Sequence, residues 1–146
     1  MTDAKTYEEL VSTKTTVCGN YEPSFPPSQI LKQELYSAGV AGPPYKFAAH
    51  HIVPIKDPKA EKAREILATY GIEWNSAANG VFLPMESNKY TGDTALHIGG
   101  HSKEYMDQVT IRLKRANKNG GKDSVITELN NIRKDLLDGK LQVNGG

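Results

Sequence analysis

Apolar positions along the chain fall into short runs and helical stripes, punctuated by proline and glycine. Residues 1–27 show no sustained period and end in Pro23-Ser24-Phe25-Pro26-Pro27, which predicts an irregular N-terminal arm draped over the rest of the chain. Ser28 is placed to cap a short helix through Leu35 and Ala38, with Gly39 as its stop. Pro43-Pro44 then forces an extended approach to Tyr45-Lys46-Phe47-Ala48-Ala49-His50-His51-Ile52-Val53-Pro54, whose apolar run predicts a buried strand. Asp57-Pro58 opens a helix with Ala60, Ala63, Ile66, Leu67 and Tyr70 on one face, ended by Gly71. Trp74 reads as core, and Asn79-Gly80 as a tight turn into a second strand, Val81-Phe82-Leu83, closed by Pro84. Beyond a polar loop, a helix places Tyr105, Met106, Val109 and Leu113 inward. A last one runs from about Asp123 to Gly139 with Val125, Ile126, Leu129, Ile132, Leu136 and Leu137 inward. There is no internal repeat and no long linker, so residues 28–146 read as one domain, with its core at about 39–113 and a C-terminal helix at about 123–138.

Composition changes this picture little. A chain of 146 residues can bury roughly 70% of its unfolded surface in one domain. An apolar fraction of 38% and a charged fraction of 24% exclude a disordered or membrane-spanning class, and no run approaches the ~20 apolar residues of a bilayer span. No membrane insertion is expected. Met1 to Thr6 lack the apolar stretch of a secretory signal, so export by a cleaved leader is not expected. Cys18 is alone, which rules out an internal disulfide and a thiolate metal cage. A net charge of +1 says little, but its distribution says more. The run from Arg112 to Lys122 carries five positive charges, Arg112, Lys114 and Arg115 among them, and no acid. Lys46, Lys56, Lys59 and Lys62 flank the first histidine pair, where lysines can contact phosphate.

Candidate chemistry concentrates in the histidines. All four lie in two pairs, His50-His51 and His97/His101. Imidazole both ligates divalent metals as a neutral nitrogen and moves protons near neutral pH. Neighbours on a strand point to opposite sides, so one member of His50-His51 can ligate while the other addresses a substrate. His97 and His101 are four apart, but Gly99-Gly100 between them cost roughly 1 kcal/mol each in a helix interior. His97 therefore belongs in the approach loop or an irregular first turn, and His101 at the helix start. Both can still reach one ion. Clustered imidazoles of this kind suit metal-assisted hydrolysis.

These residues resemble the AHH nucleases, a branch of the HNH superfamily found as toxin domains in bacterial polymorphic toxin systems. The likeness spans residues 39 to about 113. It is carried by Gly39, Pro43-Pro44, Ala48-Ala49-His50-His51-Ile52-Val53-Pro54, Gly71-Ile72, Asn75, Asn79-Gly80-Val81, Leu83-Pro84, His97-Ile98-Gly99-Gly100-His101 and Tyr105. The resemblance implies an α+β fold, a ββα-metal core with additional packed helices. It implies His50, His97 and His101 as metal ligands, His51 as general base and Asn79 as the residue that orients it. Tyr105 aligns with a family tyrosine that either packs in the core or contacts phosphate. Phe47-Ala48-Ala49 stand where colicin-type DNases place Arg or Glu partners, so another way of positioning phosphate is expected. One divalent ion is implied (Mg, Mn, Zn or Ni), and three nitrogen donors favour Zn²⁺ or Ni²⁺ over Mg²⁺ in affinity. The implied activity is metal-dependent endonucleolytic hydrolysis, of DNA in preference to RNA. A cognate immunity protein and delivery as an effector acting in a target-cell cytoplasm follow from the same likeness. The alternatives are an RNA-cleaving toxin of the same fold and a non-catalytic zinc-binding module.

Overall fold

Two short antiparallel strands, β1 (Phe47–His51) and β2 (Gly80–Pro84), form the centre of the fold. The computed structural model describes residues 6–87, 91–97 and 101–144. Its other elements are α1 (Tyr7–Val11), α2 (Pro27–Ser37), α3 (Glu61–Thr69) and α4 (Lys103–Asp138). The class is α+β, and β1, β2 and the start of α4 give the order of a ββα-metal core, with α3 inserted between the strands.

Strand alternation decides what each face of this pair meets. Val81 and Leu83 join the larger core with α3 and α4, whereas Phe82 and Ala49 join Leu31 and Leu35 of α2 on the other side. His50 pairs with Val81 and so faces α4. His51 pairs with Gly80, where an added Cβ would sit 2.7 Å from Leu31 Cδ1, so His51 faces the α2 side. Only glycine lets α2 approach the sheet this closely.

Several boundaries differ from the sequence reading. The N-terminal arm is not wholly irregular, because Thr6 caps α1 through its side chain and Val11 is fully buried. The Tyr7 hydroxyl accepts the Phe82 N–H at 3.1 Å, and burial pushes its pKa up to about 12. Ser28 is not the cap of α2, which starts at Pro27 with Pro26 in the cap position and no side-chain cap bond. Asp57 does cap, but a short 3-10 turn (Pro58–Ala60) that leads into α3. Asn79 closes another 3-10 turn (Ala77–Asn79), and Gly80 is already extended strand, so no two-residue turn forms there. The two predicted C-terminal helices are the two arms of α4, broken at Gly121, whose φ of 69° and ψ of −146° are not helical.

The second arm of α4 braces the strands. Arg133 is 1% exposed and donates to Gly80 O at 2.9 Å, Ala78 O at 2.6 Å and Asn130 Oδ1 at 2.6 Å. Burial pulls its pKa down to about 10. No carboxylate pairs with it among the described residues, so its charge is compensated by carbonyl dipoles.

Candidate active site

A cleft of about 430 Å³ opens where the end of β1 meets the N-terminus of α4, and all four histidines line it together with Lys56 and Asp57. His50 forms its floor and is fully buried. His97 is tied to the end of β2, since its N–H donates to Pro84 O at 2.8 Å. His101 directly precedes Ser102, which caps α4 by accepting the Tyr105 N–H at 3.1 Å. The loop placement of His97 and the helix-start placement of His101 both hold; Ile98, Gly99 and Gly100 lie outside the described residues.

Hydrogen bonds settle the tautomer of His50. The Tyr105 hydroxyl has one proton and donates it to Ile52 O at 2.7 Å. Its 3.0 Å contact with His50 Nε2 must then be accepted from an Nε2–H. A neutral imidazole protonated at Nε2 carries its lone pair on Nδ1, which lies 3.2 Å from His97 Nδ1. The Nε2 of His101 is buried with no partner, an orphan polar atom beside this pair. Ring centroids of His50 and His101 are 5.3 Å apart, the same as those of His50 and His97.

Burial holds His50 well below the usual histidine range, helped by the other imidazoles, and lowers His97 and His101 as well. His51 is also lowered by burial, against an opposing bond in which Asn75 Oδ1 meets its Nε2 at 2.6 Å. That bond places the proton of His51 on Nε2 and leaves Nδ1 as an open acceptor.

Asn79 does not reach His51. Its side chain accepts the Val53 N–H at 2.9 Å and donates to Val53 O and Trp74 O at 3.0 and 2.8 Å, while its carbonyl accepts the Ile52 N–H. It therefore fixes the backbone just after His51, and Asn75 is the side chain that orients the ring. Asn75 stood in the sequence as one of two asparagines four apart. The fold places its side chain, and not that of Asn79, against His51.

The candidate phosphate contacts separate. Lys56 lines the cleft. Tyr105 is fully buried with its hydroxyl spent on His50 and Ile52, so it positions His50 and contacts no phosphate. Arg112 is committed to Glu128 and, at 2.8 Å, to Asp135, so it is not a free cation. Lys46, Lys114 and Arg115 are exposed but do not line the histidine cleft. The carboxylate of Asp57 caps Lys59 N–H at 2.9 Å and pairs with Lys59 Nζ at 3.6 Å.

Residues 31–136 match the AHH family, described as a nuclease family of the HNH/ENDO VII superfamily with conserved AHH. The chain belongs to this AHH nuclease family. The eponymous residues stand here as Ala49-His50-His51 at the end of β1. No protein of curated function and no solved structure matches the chain.

Nucleases of this superfamily usually use a divalent metal. Among the described residues no group of three His, Cys, Asp or Glu side chains already stands in complete ligating geometry. The donor chemistry nevertheless fits. His50 Nδ1 and His97 Nδ1, 3.2 Å apart, approach the edge of about 3.3 Å that tetrahedral Zn–N bonds of about 2.0–2.1 Å would set, and the orphan nitrogen of His101 is a third neutral donor. Metal ligation requires neutral imidazoles, the form that burial favours at all of them.

Proposed function

We propose that this AHH-family chain is a metal-dependent endonuclease in which His50, His97 and His101 hold one divalent ion and His51 is the general base. The observation that carries this reading is the opposite employment of two adjacent histidines. His50 turns a lone pair toward His97, while His51 is turned away and held by Asn75. An ion held there would supply Lewis-acid stabilisation of the negative charge that develops during phosphodiester hydrolysis.

The chain's own residues do the rest. Neutral His51 takes a proton from water at Nδ1, as the water oxygen bonds to phosphorus and the bond to the 3′ oxygen breaks. The leaving oxygen is protonated from solvent, so the products end in 5′-phosphate and 3′-hydroxyl. Lys56 contributes positive charge at the cleft wall. Tyr105 keeps His50 in the tautomer that ligates through Nδ1. A closed structural zinc site usually has four protein ligands, and His51 is not available as the fourth.

Supercoiled plasmid and total RNA, incubated with the protein across Mg²⁺, Mn²⁺, Zn²⁺ and Ni²⁺ with chelator controls, test the activity. Plasmid nicking that chelator abolishes, with 5′-phosphate ends, is expected. RNA cleavage leaving cyclic phosphate ends would replace DNA by RNA and water by a 2′-hydroxyl nucleophile. A second outcome concerns Asn75. Asn75→Leu removes the acceptor that orients His51, and turnover falls by an expected ~10-fold or more with metal affinity unchanged; Asn75→Asp, which keeps an acceptor oxygen, recovers part of it. Equal turnover in both variants would release Asn75 from this role.

The family resemblance extends the proposal to biology. The domain acts as a toxin delivered into a target-cell cytoplasm, and a small acidic immunity protein protects the producer by covering exposed cations such as Lys46, Lys56, Lys114 and Arg115. Such association weakens with salt. Harmless bacterial expression of the folded wild-type chain, alone and active on plasmid, would count against the toxin role.

A further inference from the structure

A second groove, of about 500 Å³, adjoins the histidine cleft, and Pro27 and Ile55 line both. Its wall includes Trp74, Ile72, Ala68 and Asn75, and Asn75 is the residue bonded to His51. Trp74 is the chain's one tryptophan and is only half-buried. Its Nε1–H donates to Arg64 O at 3.2 Å, and the Arg64 guanidinium carbon lies 5.8 Å from the ring centroid. That guanidinium is itself anchored, donating to Pro54 O at 2.9 Å and Asp57 O at 2.7 Å. The indole is thus a fixed aromatic platform, and ordering it costs little on binding. The one acid on the wall, Glu73, already accepts the Val17 N–H.

We propose that the Trp74 groove holds an unpaired nucleobase of the substrate strand, stacked beside the phosphodiester seated in the histidine cleft. This rests on the reading of that cleft as the place of cleavage. Continuity names the occupant. A nucleotide strand whose phosphate lies against His51 carries its base one sugar away, and this groove, continuous with the cleft through Pro27 and Ile55, offers an adjoining surface of base-accommodating size. A base inside a duplex has both faces covered, so the groove favours a single-stranded or locally opened substrate. Stacking on one platform is tolerant of base identity, so little sequence preference follows from this subsite.

The test uses the emission of Trp74 in the full wild-type chain, kept in chelator so that nothing is cut. A short single-stranded DNA oligonucleotide should quench this emission. A strand of equal length made of abasic sugars, with the same phosphates, should bind about 5–150-fold more weakly and leave the emission unchanged. Ala68→Glu, at an exposed helix position on the groove wall, should weaken binding of the ordinary strand. It should leave turnover of bis(p-nitrophenyl) phosphate, which has no nucleobase, as in the wild type. Equal affinity for ordinary and abasic strands, or unchanged strand affinity in Ala68→Glu, overturns the subsite. Quenching by the ordinary strand without cleavage under any ion would overturn the nuclease reading and keep the base site; cleavage without quenching would do the reverse.

Discussion

His51→Ala abolishes cleavage, with a fall in turnover of ~10²–10⁴-fold expected for loss of a general base, while fold and Zn²⁺ affinity stay near wild type. His50→Ala instead loses metal and activity together. The two side chains are chemically identical and adjacent, so only their directions can produce different outcomes. His50 lies on the α4 face of the sheet, with Nε2 spent on Tyr105 and Nδ1 3.2 Å from His97 Nδ1. His51 lies on the α2 face, with Nε2 on Asn75 at 2.6 Å. Plasmid cleavage and calorimetric Zn²⁺ titration on each variant check this. Loss of metal in His51→Ala with retention in His50→Ala would reverse the assignment. Full cleavage by both would place hydrolysis elsewhere.

The second large effect is on stability. Arg133→Ala should lower the free energy of unfolding by ~3–5 kcal/mol, a large part of the 5–15 kcal/mol typical of a domain. The substitution empties a site within the core and strips donors from Ala78 O and Gly80 O, both buried. Those carbonyls lie on the approach to β2 and at its first residue, opposite His51, so the loss is felt next to the candidate site. Urea unfolding measures it. A change under ~1 kcal/mol would mean that water or a neighbour takes over the guanidinium's bonds.

Much of this arrangement is legible along the chain, because it is carried by local patterns. The strand ending in His50-His51 announces itself by an apolar run, and α3 by its stripe from Ala63 to Tyr70. The convergence of the histidines follows from their being the chain's only four. What escaped depends on partners distant in sequence. A five-residue helix such as α1 is too short to show a period, and its docking rests on Tyr7 meeting Phe82, seventy-five residues on. Arg112 reads as a free cation within its basic run. Its acids, Glu128 and Asp135, arrive only because the chain turns back at Gly121. Asn79 and Asn75 are of one residue type, and the turn between Ser76 and Asn79 decides which reaches His51.

Long-range ¹H–¹⁵N NMR of the histidine side chains, recorded without metal and after one equivalent of Zn²⁺, tests the central claim most directly. Without metal, His50 and His51 should both be neutral with the proton on Nε2. On metal addition, one nitrogen each of His50 (Nδ1), His97 (Nδ1) and His101 (Nε2) should shift as ligands, and both nitrogens of His51 should keep the pattern of an unliganded ring. Ligation of His51, or a His50 that carries its proton on Nδ1 and stays free, would contradict the division of labour on which the account stands.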